Sequence, residues 1–490
     1  MSILSLEYLL FAAGTFALYH LFPLKRRWLA LLAASAAFDL LAGWQGAAYL
    51  LSAAARTYGS ALWLHVLQET GKTRRMKLLL AGTLLLTLGG MVFFKYAGGR
   101  LFQGLLAPLG LSWFTFQSAG YVVDVYRGKV KPERNFGKYL LFVSFFPQLT
   151  QGPISTWAQL APQLEQGHRL EPSQSVSGVL LMCWGLFKKL VIADRLAAVT
   201  AYVTVEASVP GWTLLLGAAT YMVRLYADFS GGMDVIRGTA LLMGIDMAEN
   251  FRRPFFAVSV ADYWRRWHIT LGAWFRSYLL YPLTTSRAGV ALGRAGVRLL
   301  GKRVGRRLPA ALATLVVFLL IGLWHGASWN AVLYGQYFGV LMGAATLLEP
   351  TLRGLKKRLH IREGARLWKG LCIARTLLLV LTAQFFAFTA DAAQAFALIG
   401  RVFTGWTCAG VAQTLLSVMP ALEWGIALAA GGVLFAVDAA MERGVRLRQR
   451  LAEGPLALRW AVLLALILVT VVLGCYGDDV NAAAFLYTLL

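Results

Sequence analysis

Apolar runs close to 20 residues long recur along the whole chain, for example at 77–97, 310–324, 371–390, 424–440 and 457–475. About 20 apolar residues in a helix cross a hydrocarbon core of about 30 Å. Many such runs in one chain predict an all-α, polytopic transmembrane protein. A spanning barrel would show short alternating strands instead. Composition agrees: 58% of the 490 residues are hydrophobic and only 14% charged, against about 25% charged in soluble domains. We expect about eleven helices in one membrane domain covering 1–490, its core at about 100–350. The sequence shows no soluble domain and no internal repeat.

The formal net charge is +24. In a soluble chain that excess would suggest nucleic-acid binding. Here the basic residues cluster at 25–27, 72–77, 127–134, 287–307, 353–369 and 443–450, where basic loops set orientation by staying cytoplasmic. No nucleic acid is expected as a partner. The first apolar stretch, 3–24, runs into Lys25-Arg26-Arg27 without a small-residue cleavage site, so it reads as a retained helix. Its N-terminus and the tail 476–490 are both expected outside. Cys183, Cys372, Cys408 and Cys475 are widely spaced, which predicts neither a disulfide framework nor a metal site.

Some segments do not read as plain spans. The stretch 104–126 is rich in glycine, proline and aromatics and reads as broken or re-entrant, which requires protein around it. Phe146-Pro147-Gln148 and Gly152-Pro153 break helices, predicting an irregular buried element over 138–165. The linker 287–309 holds seven basic residues and no acidic one, interleaved with Val and Leu. It reads as an amphipathic helix on the inner face, and 351–370 repeats that character.

Ionisable residues within membrane segments are costly and point to function. Three places concentrate them. In 224–237, Arg224 and Asp228 are four apart and Asp234 and Arg237 three apart. A helix would put each pair, and Ser230 with Asp234, on one face. The residues alone admit two readings: ion pairs that stitch helices together, or a polar wall of a substrate cavity. In WRRWHITLGAWF (264–275), His268 sits one turn beyond Trp264 and Arg265, a cationic and aromatic setting for an anionic ligand or an inner-leaflet interface. In GLWHGASWN (322–330), His325 ends a nearly uncharged run beside Gly326, which permits close approach. An imidazole titrating near pH 6.5 suits a general base for a hydroxyl, though a histidine bonded to helix backbone has the same pattern. His20, His65, His168 and His360 read as solvated or interfacial. There is no Gly-x-Ser-x-Gly elbow and no phosphate loop.

FFPQLTQGPI (145–154), DFSGGMD (228–234), MAENFRRPF (247–255), WRRWHITLGAWFRSYLLYPL (264–283) and GLWHGASWN together resemble the membrane-bound O-acyltransferases, in the bacterial branch that acetylates alginate or carries D-alanine to teichoic acid. The resemblance covers about residues 1–350 and resumes at FLYTLL (485–490). It implies a ring of helices around a thin centre, with an outer funnel and a cytoplasmic channel, in the bacterial cell membrane. By that resemblance His325 matches the essential histidine and His268 a second characteristic one, and Tyr487 matches a tail tyrosine that carries the acyl group. Arg265, Asp228, Ser230, Asp234, Trp324 and Asn330 form the expected substrate-binding set. Gly232-Met233 stands where the family commonly has Tyr-Ser, which removes a hydroxyl pair beside Asp234.

The expected chemistry is acyl transfer, acetyl first, from a thioester donor to a hydroxyl for an extracytoplasmic polymer. The donor is an acyl-CoA or an acidic acyl carrier protein steered by 287–307 and 353–369. No bound cofactor is expected. Membrane lipid and a separate extracytoplasmic acyltransferase are the other expected partners. D-alanyl transfer is the alternative; a transporter fits less well, because duplicated halves are missing from the sequence.

Overall fold

The computed structural model describes residues 3–98, 107–205, 209–404, 406–407 and 410–476. Among these residues every regular element is helical. The order begins α1 (Leu6–Leu21), α2 (Arg27–Ala42), α3 (Trp44–Glu69), α4 (Thr73–Phe93), α5 (Leu111–Tyr126), α6 (Phe136–Ser144), α7 (Phe146–Gln151), α8 (Trp157–Glu165) and α9 (Pro172–Phe187). It continues with α10 (Ala197–Val205), α11 (Gly211–Leu242), α12 (Val260–Arg266), α13 (Ile269–Phe275), α14 (Tyr281–Thr285), α15 (Arg287–Gly305), α16 (Leu308–His325) and α17 (Trp329–Arg358). The last are α18 (Arg366–Phe388), α19 (Ala392–Val402), α20 (Val411–Val418), α21 (Ala421–Glu442), α22 (Leu447–Glu453) and α23 (Leu456–Leu473).

The chain is a polytopic all-α membrane protein. Seven helical runs among the described residues are long and apolar enough to cross a bilayer: Thr73–Ala97, Pro172–Val205, α16, α17, α18, α21 and α23. Helix α23 shows why. Its 18 residues span about 27 Å, and Leu456, Leu468, Val471 and Val472 are all more than half exposed. So continuous an apolar skin is stable only against lipid. The seven fall short of the expected eleven partly because α1 and α2 have only 16 residues each, less than a full crossing.

The described residues gather into two compact units. The first holds the chain up to Leu190, Phe229–Glu249 and the part from Arg446 onward; the second holds Val191–Asp228 and Asn250–Val445. In the first, the irregular element expected over 138–165 is present as α6, α7 and α8. Asn135 caps α6 by accepting from the Lys138 N–H. Pro147 lies in the first turn of α7, where its missing N–H costs nothing. A Thr156–Gln159 capping box starts α8. Phe145, Phe146 and Leu149 are fully buried, and the Trp113 indole donates to the Gly152 carbonyl at 2.7 Å. Of the stretch 104–126 expected to be broken or re-entrant, 104–106 lies outside the described residues and 111–126 is regular helix. Gly110, at φ +66, begins it, where a Cβ would stand 2.5 Å from the Leu149 carbonyl.

In the second unit, α16 and α17 form an antiparallel hairpin. A Cβ on Gly322 would meet the Ala331 carbonyl at 2.5 Å, and one on Gly335 the Phe318 carbonyl at 2.3 Å. Small residues let membrane helices approach this closely. The amphipathic helix expected over 287–309 is α15, bent at Gly301 (φ +75). The amphipathic element expected over 351–370 is not there. Helix α17 instead runs on through 351–358, where Glu349 pairs with Arg353 one turn later and with Arg307. A break at 359–365 then separates it from α18.

Candidate active site

His325 is the last residue of α16, at the hairpin corner. Gly326 leaves the helix in extended conformation, and Ser328 caps α17 by accepting from the Ala331 N–H at 3.2 Å. The backbone beside the ring is open at Gly326, where a Cβ would find nothing nearer than 3.8 Å, while the close contacts between the two helices are made at Gly322 and Gly335. His325 is half-buried. Its ring meets the buried Trp324 indole edge-on at 4.7 Å, and Trp324 meets His268 edge-on at 6.2 Å. The two motif histidines, 57 positions apart in the chain, therefore share one tryptophan.

His268 lies between α12 and α13, outside the seven spans. Its backbone is left-handed at φ 43, a sparsely populated state for a residue other than glycine that clusters at functional sites. Asn250 holds the turn. Its carbonyl accepts from the Ile269 N–H at 3.0 Å, and its Oδ1 accepts from Thr270 N–H at 2.9 Å and Thr270 Oγ1 at 2.8 Å. His268 Nδ1 stands 3.3 Å from the same Oδ1. An atom that accepts a backbone N–H is an acceptor, so Nδ1 carries the proton and donates. The neutral ring then has its lone pair on Nε2. Burial, and secondarily the neighbouring His325, hold the His268 pKa well below the usual imidazole value. His268 is neutral at physiological pH.

Beside Trp264 and Ile269 opens a cavity of about 420 Å³ lined by Arg252, Arg253, Arg265, Arg266 and Arg276, with Asp262 and Glu442. Arg253 Nε donates to Glu442 at 2.8 Å. Arg266 makes a fork on Glu442, at 2.9 and 3.1 Å, and binds Asp262 through Nε at 3.1 Å. Arg265 reaches Asp262 at 3.4 Å and is otherwise exposed. Five arginines and two carboxylates make the lining predominantly basic, a setting for an anion. Among the described residues no group of three His, Cys, Asp or Glu is placed to hold a metal.

Residues 133–292 match the model of the family described as MBOAT, membrane-bound O-acyltransferase family. Over that region the chain is similar to this family. The chain is similar to a probable alginate O-acetylase of Azotobacter vinelandii, 33% identical over 48% of this chain and 44% of that protein. It is similar to a peptidoglycan O-acetyltransferase of Helicobacter pylori, 32% identical over 49% and 47%. A teichoic acid D-alanyltransferase of Bacillus subtilis is 26% identical over 50% and 61%. The chain spans about half the length of the curated relatives it matches.

The MBOAT region holds His268, Arg265, Ser230 and Asp234; Trp324, His325 and Asn330 lie beyond it. Ser230 and Asp234 do share a helix face, and both accept from the buried Lys188 ammonium, at 2.8 and 2.7 Å. The expected Asp234–Arg237 pair does not form, because Lys188 takes Asp234. Arg237 instead donates to the Met247 carbonyl and lies 3.8 Å from Asp246. Asp228 is buried in the second unit. Asn330 donates to the Thr389 carbonyl at 2.8 Å, a link between α17 and the end of α18, while its buried Oδ1 has no hydrogen-bond partner among the described residues. Tyr487 lies outside the described residues. Lys188, Asn250 and Glu442 were missed by the sequence reading. Lys188 carried a signal, a charge in the apolar stretch 174–205; Asn250 and Glu442 acquire their roles only through contacts distant in sequence.

Proposed function

We propose that this protein is a membrane O-acyltransferase that moves an acyl group, acetyl in the first reading, from a cytoplasmic thioester to a hydroxyl destined for an extracytoplasmic polysaccharide or envelope polymer. One observation carries the reading: His268, inside the MBOAT region, and His325 face the same Trp324 indole. His325 takes the proton of the attacking hydroxyl; the oxygen bonds the thioester carbon, the carbon–sulfur bond breaks, and the proton leaves with the thiolate. His268 offers a lone pair at Nε2 and so orients a hydroxyl by accepting from it. The arginine cavity suits the anionic part of an acyl-CoA or an acyl carrier protein. Arg443, Arg446, Arg448 and Arg450 follow α21 directly, which supports a cytoplasmic position for Glu442 and that cavity. The basic residues between 353 and 369 steer an acidic carrier. Tyr487 is a candidate to accept the acyl group before a separate extracytoplasmic acyltransferase completes the transfer.

D-alanyl transfer is the second reading, favoured by the larger share, 61%, of the Bacillus subtilis relative that the match covers. Purified protein with an acetyl thioester or a D-alanyl carrier thioester separates the two by the mass of the product ester. Replacing His325 by Ala is expected to lower transfer by a factor of about 10² to 10⁴, with normal membrane insertion. Full activity in that variant would remove the base assignment. Unaltered polymer acylation in Tyr487→Phe would remove the tail relay.

A further inference from the structure

Helix α15 and the start of α16 build a second cavity, of about 570 Å³, independent of the histidines. Arg294, Arg298, Lys302 and Arg306 line it, and no acidic residue does. None of the four makes an ion pair among the described residues. The nearest acidic partner of this segment, Glu349, is engaged by Arg307 and Arg353. The cations are held together by the backbone. At Gly301 (φ +75) the chain turns, and the two arms meet at Gly296 and Gly305, where a Cβ on Gly305 would lie 2.2 Å from the Gly296 carbonyl carbon. Four exposed like charges gathered on one cavity favour an anion from outside the chain. Apart from Thr284 the rest of the wall carries no polar side chain, with Val290, Val297, Pro309 and Ala310, and Leu299 and Leu300 are exposed beside it. Pro309 and Ala310 open α16, a membrane span, so the cavity sits where a span meets the headgroup layer. A free phosphate matches the charges but not the apolar wall; a soluble carrier protein leaves Leu299 and Leu300 exposed.

We propose that Arg294, Arg298, Lys302 and Arg306 form a binding site for the phosphate of an anionic phospholipid, with its acyl chains along Val290, Val297 and Ala310. The site is separate from acyl transfer and does not depend on that reading.

The test is native mass spectrometry of the full chain in non-ionic detergent, with phosphatidylglycerol or phosphatidylcholine added. Wild-type protein is expected to retain phosphatidylglycerol in clear preference. An Arg294→Gln/Arg298→Gln variant is expected to weaken retention by about fivefold per cation removed. Lys357→Gln/Arg362→Gln, off the cavity, is expected to leave it unchanged. If the double variant does not fold, Lys302→Gln alone should show one fivefold step. Equal retention of the two lipids, or the same loss in the control variant, overturns the proposal. Complete displacement of phosphatidylglycerol by inorganic phosphate makes this a simple anion site and overturns the lipid. Displacement by an acidic acyl carrier protein makes it a protein-docking surface, with the same consequence.

Discussion

At the scale of single residues, the proton on His268 is fixed by its neighbour. Asn250 Oδ1 already accepts from Thr270, so the ring can only donate to it. That bond suits the neutral and the charged ring alike; burial, and secondarily His325, keep the folded ring neutral, whereas an unfolded histidine charges near pH 6.5. Below that pH the unfolded chain binds the extra proton, so stability falls as pH drops through about 6.5, by at most about 1.4 kcal/mol per pH unit for this group. Thermal unfolding of the purified protein between pH 8 and 5 checks this. His268→Gln is expected to flatten the acid limb, and an unchanged limb would show that the ring is not the group responsible. The Lys188–Asp234 pair makes a second case. Both side chains are largely withdrawn from solvent, at 4% and 16% exposed. Lys188→Met strands the carboxylate and is expected to cost about 3–5 kcal/mol, with partial recovery in Lys188→Met/Asp234→Asn. Simple additivity of the two single changes would argue against a coupled pair. His325 and His268 stood out as candidates from residue type and setting alone. The partner of Asp234 was not: local spacing favoured Arg237, and Lys188 wins from 46 positions away.

At the scale of elements, the hairpin of α16 and α17 delivers His325 to its place. Its geometry depends on glycines inside the helices rather than at the turn. Gly335→Leu is expected to force the helices apart at a cost of about 1–3 kcal/mol and to lower activity with it. Gly326→Ala should be nearly silent, because a Cβ there has room and the backbone is extended. Unfolding temperatures of the two variants check the contrast, and equal damage would mean that the turn matters as much as the seam. Proline and glycine made the interrupted stretch 138–165 legible, since Pro147 and Gly152 are local signals. Nothing local announces Gly322 and Gly335 as contact points, because an approach of two helices is a property of the pair. The basic stretch 351–370 misled for a related reason: the ion pairs of Glu349 carry α17 onward where composition alone read a separate surface helix.

At the scale of the whole molecule, long apolar runs made the membrane class and five of the seven spans readable directly. Short or charged helices such as α12 to α14 were not, because their stability comes from tertiary partners such as Asn250 and Glu442. On the proposed orientation, cysteines introduced at Arg446 and at Lys357 should react with a membrane-impermeant reagent from the cytoplasmic side only. Labelling of either from outside intact cells would reverse the direction of transfer. The same orientation has an electrical consequence. Arg266 grips Glu442 at the inner end of α21; two residues later, at most about 7 Å of chain, His268 is one indole away from His325. Transfer on this orientation carries the acyl group through the transmembrane voltage. Moving one charge across it costs about 2.3 kcal/mol per 100 mV. A neutral acetyl group escapes that cost, whereas an alanyl ammonium leaving an inside-negative cell bears it, so an ionophore should quicken the second cargo and leave the first untouched.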